Sequence, residues 1–188
     1  FSAGYGGGAL GHDRSFAAAL PTTLDLKAEN GKIVPAPSAN LLINGDLEQH
    51  ADTAFAGYEF TDQPGVISFA DTQAMSGMLS VRFENFTASP HGHGRLAQKI
   101  SLRPGRAYRF SLKMKTRDLK PVSGLKLMVY DGERSLAERR PQITSTQDWT
   151  EVTLDYINTT AKEVYLYAGI WGGQSGTFWL DDLNLVES

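Results

Sequence analysis

Short segments in which apolar and polar residues alternate dominate the chain from Asn40 onward. In the segment 108–115 one set of alternate residues is entirely apolar and the other wholly polar, and the same period of two recurs over 96–102 and 164–170. Turn signals such as Pro104-Gly105 separate these segments. A period of two is typical of half-buried strands, and no segment has a helical period of useful length. The pattern therefore predicts an all-β fold, an antiparallel β-sandwich.

Residues 1–39 have a different composition, rich in glycine and proline. We interpret them as a leader or linker that packs on the domain or joins it to a neighbour, and residues 40–188 as the domain itself. Only residues 22–34 alternate, which predicts a strand or hairpin there. The segment Gly6–Gly11 fits G-x-G-x-x-G, but no apolar strand precedes it and no amphipathic helix follows, so it does not indicate a dinucleotide site.

The composition narrows the classes of function. The chain has 188 residues, of which 41% are hydrophobic and 21% charged, and its formal net charge is −3. Basic residues are interspersed with acidic ones, so nucleic acid is not an expected partner. No window approaches 18 apolar residues, so no membrane span is expected. There are no cysteines, which excludes disulfides, thiolate metal sites and cysteine nucleophiles.

Aromatic residues occupy the polar phase of one predicted strand. Tyr165, Tyr167 and Trp171 alternate with the apolar residues of 164–170. Pyranose rings stack on such flat aromatic faces, which makes these three residues candidates for a sugar platform. The alternatives are that the leader or a neighbouring domain covers them, or that they are simply exposed.

Polar side chains near this strand are candidates for recognising sugar hydroxyl groups. Arg82, Arg95 and Gln174 are the residues we expect to contribute hydrogen bonds. Tyr58 and Phe60, in a loop-rich region, are expected to build one wall of a cleft.

Two carboxylates mark the ends of the alternating region. On the last strand Asp181 shares its phase with Leu183 and Leu185, which predicts that it faces inward and needs a partner. Glu48, just after the first strand, is the expected partner. Two carboxylates with loop carbonyls suit Ca²⁺, which takes about six to eight oxygen ligands. The alternative is that these residues cap turns or pair with Arg or Lys.

Several short motifs occur in a fixed order along residues 40–187. They are Asn40-Leu41-Leu42-Ile43-Asn44-Gly45-Asp46-Leu47-Glu48, Ser76-Gly77-Met78-Leu79-Ser80, Pro104-Gly105 followed by Tyr108-Arg109-Phe110-Ser111, Trp149-Thr150-Glu151-Val152, and Leu180-Asp181-Asp182-Leu183. This order resembles carbohydrate-binding modules of the family 4/9/16/22 type. The resemblance implies a jelly-roll sandwich that binds an oligo- or polysaccharide without catalysing a reaction.

The resemblance also implies a structural calcium ion. Its side-chain ligands would be Glu48 and Asp181, with contributions from Ser76 and from Asp46 or Asp182. The segment 167–182 further resembles accessory domains of large secreted bacterial glycoside hydrolases. The implied partner is then a catalytic domain of the same parent chain, and the implied location is secreted, cell-surface or periplasmic.

The sequence contains no recognisable catalytic constellation, so we expect a non-catalytic module. Gly-x-Ser-x-Gly and His-Glu-x-x-His motifs are absent. One alternative is a structural sandwich that orients a catalytic neighbour. Another is a jelly-roll polysaccharide lyase using His91, Arg95 and Tyr167. His91 and His93 have the spacing of a metal pair but lack an obvious third ligand.

Overall fold

The computed structural model describes residues 26–29, 32–35, 39–51, 54–160 and 163–188. The chain divides into two units, Phe1–Pro37 and Ser38–Ser188. The described part of the first unit is an antiparallel hairpin of β1 (Leu26–Glu29) and β2 (Lys32–Pro35). It lies at the place where the alternation predicts a strand or hairpin. The glycine motif of residues 6–11 and the expected packing of the leader fall outside the described residues.

Strands make up most of the second unit, as the period of two predicts. In chain order they are β3 (His50–Ala51), β4 (Ala54–Phe55), β5 (Phe60–Thr61), β6 (Ser68–Asp71), β7 (Ser80–Phe83), β8 (Gly94–Ser101), β9 (Arg106–Lys120), β10 (Leu125–Tyr130), β11 (Ser135–Arg139), β12 (Gln147–Asn158), β13 (Glu163–Ile170) and β14 (Ser175–Glu187).

These strands form two five-stranded antiparallel sheets and a small hairpin. The first sheet has the order β11-β10-β13-β8-β5, and the second has the order β12-β9-β14-β7-β6. Strands β3 and β4 pair with each other. The expected all-β class and the antiparallel sandwich are confirmed.

One hydrophobic core joins the inner faces of the two sheets. Strand β9 contributes Phe110, Leu112 and Met114, and strand β13 contributes Leu166 and Ile170, all at most 2% exposed. Burying one such side chain stabilises the fold by about 1.5–3 kcal/mol. Because one phase of each strand enters this core, the other phase is left on the outer face of its sheet.

The alternation of β14 is interrupted after Leu180. This residue lies opposite the buried Met114, so Asp181 starts on the other side of the sheet. The register shifts just after Asp181, where Asp182 has a φ of 49°. This β-bulge adds a residue and returns Leu183 to the core. The prediction that Asp181 shares a face with Leu183 is therefore wrong, because strict alternation does not anticipate a bulge.

The remaining regular structure is minor. Two 3₁₀ turns, Phe86–Ala88 and Val122–Gly124, lie between strands. Among the described residues there is no helix with the length and apolar character that crossing a bilayer requires.

Candidate functional site

A row of aromatic side chains lies on the outer face of the first sheet. On β13 the residues Val164, Leu166, Ala168 and Ile170 are buried, whereas Tyr165, Tyr167 and the following Trp171 are partly exposed. Strand alternation places the three aromatic residues opposite the core. Their predicted orientation thus agrees with the structure.

Neighbouring strands add two further rings. Tyr130 of β10 pairs with Tyr165, and Phe60 of β5 lies across Ala97 from Tyr167. The Tyr167 ring centroid is 5.8 Å from that of Phe60, 6.2 Å from that of Tyr130 and 6.1 Å from that of Tyr165.

Trp171 continues the row, since its ring centroid is 6.3 Å from that of Tyr167. We call the five residues Phe60, Tyr130, Tyr165, Tyr167 and Trp171 the aromatic face. Sequence reasoning did not single out Tyr130, because its place beside Tyr165 depends on which strands pair. Its alternation with the buried Val129 was the only local signal.

Arg95 is the polar residue most closely associated with the aromatic face. Its guanidinium carbon lies 5.1 Å from the Phe60 ring centroid, 5.4 Å from that of Trp171 and 6.0 Å from that of Tyr167. Asp62 holds it through two hydrogen bonds, 2.8 Å from Nε and 3.2 Å from Nη2. The fixed guanidinium is in a position to bind a ligand that lies on the rings.

Gly169 lies between the two cations that contact Trp171. It pairs with Arg95 on one side and with Lys126 on the other. A β-carbon on Gly169 would lie 2.2 Å from the Gly94 carbonyl oxygen, and its φ of 146° disfavours other residues. Lys126 Nζ is 4.6 Å from the Trp171 ring centroid, so the tryptophan contacts both flanking cations.

Two histidines lie at the Trp171 end of the aromatic face. The His93 ring centroid is 6.4 Å from that of Trp171, and the His91 ring is 5.5 Å from that of His93. Burial lowers the pKa of His93, and the positive charge of Arg95 adds to this effect. The lowered pKa favours the neutral form of His93 at pH 7, in which the imidazole can both donate and accept a hydrogen bond.

The other predicted ligand contacts lie elsewhere. Arg82 is on the second sheet, where its Nη1 lies 2.9 Å from Asp71 Oδ2. Its guanidinium carbon lies 5.0 Å from the Phe69 ring centroid. Tyr58 packs against the core, where burial raises the pKa of its hydroxyl. Gln174 is exposed on the loop after Trp171, and its N–H donates to the Lys120 carbonyl. Arg82 thus does not join the aromatic face because its strand belongs to the second sheet, and Tyr58 does not because it packs against the core.

Glu48, Asp181 and Asp182 surround one loop at the edge of the sandwich, and we call these three carboxylates the acidic rim. Glu48 holds one end of this loop. Its Oε1 accepts hydrogen bonds from the N–H groups of Met78 and Leu79, at 2.8 and 2.9 Å. Gly77 has a φ of 61°, and a β-carbon there would lie 2.3 Å from this same oxygen. The Ser-Gly motif therefore lets the loop wrap around the Glu48 carboxylate. We call residues 75–79 the rim loop.

Asp181 holds the other end of the rim loop. Its carboxylate is fully buried, and Oδ2 accepts N–H groups of Met75 and Ser76 at 2.7 and 3.1 Å. Oδ1 accepts the N–H of Asp182 at 2.7 Å, and the Ser76 hydroxyl donates to the Asp182 carboxylate. Burial raises the pKa of Asp181, while the three N–H groups oppose that rise.

The expected calcium ion can be tested against these contacts. Three of the four carboxylate oxygens of Glu48 and Asp181 accept backbone N–H groups, so most of their acceptor capacity is used within the rim loop and at Asp182. Asp46 is exposed on the turn before Glu48, and no group of three or more His, Asp or Glu side chains that could hold a metal ion occurs among the described residues. The contacts match the alternative in which the carboxylates cap a loop. Bound calcium stays a prediction.

The fold and the site define an antiparallel β-sandwich with an aromatic outer face. A family model described as a carbohydrate binding domain, covering types 4 and 9, matches residues 39–175. The chain belongs to this family of carbohydrate-binding domains. No curated protein is significantly similar to the sequence.

Solved structures with the same fold include other carbohydrate-binding modules. A family 61 module in complex with β-1,4-galactotriose has a TM-score of 0.58 and 18% identity, covering 80% of this chain and 100% of that one. A family 16 module has a TM-score of 0.54 and 20% identity, and the match covers 79% of this chain and 100% of that one.

An enzyme is also among the structural neighbours. A cyclase from Fischerella sp. TAU has a TM-score of 0.57 and 13% identity, covering 77% of this chain and 94% of that one. At these identities the likeness shows the shared jelly-roll sandwich fold, as expected from the sequence motifs.

Proposed function

We propose that this chain is a non-catalytic carbohydrate-binding module that binds a glycan along the aromatic face. The observation that carries the proposal is the contact of four rings with Tyr167 at centroid distances of 5.8–6.3 Å. Partly exposed aromatic groups on a rigid sheet offer stacking area at a low cost in conformational entropy.

The dimensions of the aromatic face suit a chain of sugars. Tyr165 and Trp171 are six positions apart, which corresponds to about 20 Å along an extended strand. Arg95 lies beside the central rings, where it can donate to sugar hydroxyl groups that stacking brings within reach. The proposed ligand is therefore an oligo- or polysaccharide stacked on Tyr165, Tyr167 and Trp171.

We also propose that the module accompanies a polysaccharide-active catalytic domain outside the cell. Membership in a family of carbohydrate-binding domains supports an extracellular role. A purely structural sandwich remains the alternative function, and it requires no ligand on the aromatic face. The lyase alternative would use Tyr167, Arg95 and His91, of which Arg95 is already held by Asp62.

Affinity electrophoresis of the purified chain in gels containing soluble plant or algal polysaccharides tests the proposal. We expect Trp171→Ala and Tyr167→Ala each to weaken binding more than tenfold, because each removes a stacking surface. Trp149→Ala is the matched control, since this partly exposed tryptophan lies on β12 of the second sheet. It should bind as the unmodified chain does.

Unchanged binding in both aromatic-face variants would contradict the location of the site. Absence of binding to every polysaccharide, by a chain that is folded, would favour the structural alternative instead.

A further inference from the structure

The cations around the aromatic face are each paired with a carboxylate. Arg95 binds Asp62, with 2.8 Å between Nε and Oδ2. Lys126 lies 3.3 Å from Glu138, and Lys99 forms an ion pair with Glu163. The positive charge that this surface presents to a ligand is therefore largely neutralised.

The Asp62–Arg95 pair is the most enclosed of the three. Its side chains are 15% and 18% exposed, whereas Glu138 and Glu163 are 38% and 54% exposed. The Asp62 N–H also donates to the Arg95 carbonyl at 2.9 Å, which ties the end of β5 to β8. Backbone and side chains thus fix the same pair, so a ligand meets it already formed.

The geometry of the pair determines what it can bind. Asp62 occupies the Nε/Nη2 edge of Arg95, so a ligand can bind only through the remaining N–H groups of Nη1 and Nη2. An anionic ligand would in addition face the negative charge of Asp62 in a partly desolvated place, which is unfavourable. Hydroxyl groups avoid this conflict, because they can donate to Asp62 and accept from Arg95.

We infer that Asp62, by neutralising Arg95, makes the aromatic face selective for uncharged glycans over glycans that carry uronate or sulfate groups. This inference rests on the proposed function and names the class of ligand for that site. Asp62 is then a specificity-determining residue. Its carboxylate disfavours anionic glycans and accepts hydrogen bonds from the hydroxyl groups of uncharged ones.

Substitution of Asp62 by Asn tests this role, because it releases Arg95 while keeping the size of the side chain. Affinity electrophoresis would compare neutral probes (β-1,4-galactan, mixed-linkage β-glucan and glucomannan) with acidic probes (polygalacturonate, alginate and carrageenan). The unmodified chain is expected to bind a neutral probe best. In Asp62→Asn the ratio of acidic to neutral affinity should rise at least tenfold, and the gain should shrink at high salt.

The matched control is Asp155→Asn. Asp155 also binds an arginine, Arg109, through two hydrogen bonds of 2.7 and 3.3 Å, but on the outer face of the second sheet. This variant changes the net charge equally and should leave the affinity ratio unchanged. Glu138→Gln, which releases Lys126, provides a second variant if Asp62→Asn unfolds. It should raise the ratio of acidic to neutral affinity too, but by less.

The outcomes separate this inference from the proposed function. The inference is overturned, although the module still binds sugar, if the unmodified chain prefers an acidic probe. It is also overturned if Asp62→Asn and Glu138→Gln both fold and have the same ratio of acidic to neutral affinity as the unmodified chain. An equal shift in Asp155→Asn would overturn it as well, since net charge would then explain the effect. If the chain binds no polysaccharide at all, the proposed function fails and the inference fails with it.

Discussion

Tyr167 is the residue on which the aromatic face depends. Its ring contacts those of Phe60, Tyr130, Tyr165 and Trp171, and burial raises the pKa of its hydroxyl. A ring in contact with so many neighbours has few accessible rotamers, so little side-chain entropy is lost when a ligand stacks on it. Loss of Tyr167 would also loosen the rings around it.

His93 gives a prediction at the same scale, about stability and pH. Burial and Arg95 lower its pKa in the folded protein, whereas an unfolded chain protonates histidine near pH 6.5. The unfolded state therefore takes up the proton first, and stability is lost as the pH falls from about 6.5 toward the lowered pKa. Urea denaturation at about pH 7.5 and about pH 5 measures the loss.

We expect the free energy of unfolding to fall less over this range in His93→Gln, which has no imidazole to protonate. An equal fall in the variant and the unmodified chain would mean that His93 does not contribute to the pH dependence.

Strand β13 carries most of the site, and at the element scale its glycine is as important as its aromatic residues. Gly169 brings β13 close to β8, since a β-carbon there would lie 2.2 Å from the Gly94 carbonyl oxygen and 2.7 Å from the Arg95 α-carbon. Both contacts are to backbone atoms, which cannot move aside as a flexible side chain can. Gly169 therefore allows β13 to lie close to β8 beside Arg95.

Gly169→Ala is expected to destabilise the fold by about 3 kcal/mol, through backbone strain and steric overlap together. Chemical denaturation measures this loss. Gly132→Ala is the matched control, because Gly132 also has a positive φ, of 92°, but has open space around it. The control should cost about 1 kcal/mol from strain alone. Similar losses in the two variants would contradict the steric argument.

The two outer faces of the sandwich differ at the scale of the whole molecule. The first sheet carries the clustered rings of the aromatic face beside its ion pairs, whereas the second carries cross-strand ion pairs such as Arg109–Asp155, Lys113–Glu151 and Lys115–Asp148. Exposed ion pairs of this kind contribute about 0–1 kcal/mol each and are typical of a solvated surface. This contrast favours the first sheet as the side that binds ligand.

The acidic rim joins distant parts of the chain, so its chemistry is also a property of the whole molecule. If calcium is bound there, EDTA should lower the melting temperature of the unmodified chain by several degrees, since about 1 kcal/mol corresponds to about 2–4 °C at this size. Glu48→Gln should then be insensitive to EDTA.

If the rim loop is held by backbone N–H groups alone, EDTA should leave the melting temperature unchanged. Glu48→Ala should still lower it, because the N–H groups of Met78 and Leu79 lose their acceptor. Differential scanning fluorimetry in calcium and in EDTA distinguishes the two results.

Much of this architecture could be predicted from local pattern. Alternation over 108–115 and 164–170 predicted which side chains enter the core, and the structure buries Phe110, Leu112, Leu166 and Ile170 accordingly. The pattern succeeded because the apolar side chains of an alternating strand are stable only on the face of the sheet that is turned away from water. It failed at Asp181, where a bulge changes the phase without a marker in the hydrophobic pattern.

The sequence by itself determined the all-β class, the positions of several strands along the chain and the outward aromatic phase of β13, because each follows from side-chain period and turn chemistry within a few residues. The tertiary structure alone decided which residues meet on the aromatic face. The pairing of strands far apart in sequence brings Tyr130 and Phe60 into the aromatic face and places Arg82 on the other sheet. It also brings Asp62 to Arg95 beside that face. Pairing depends on how two complete sheets bury one shared core, and no local segment contains that information.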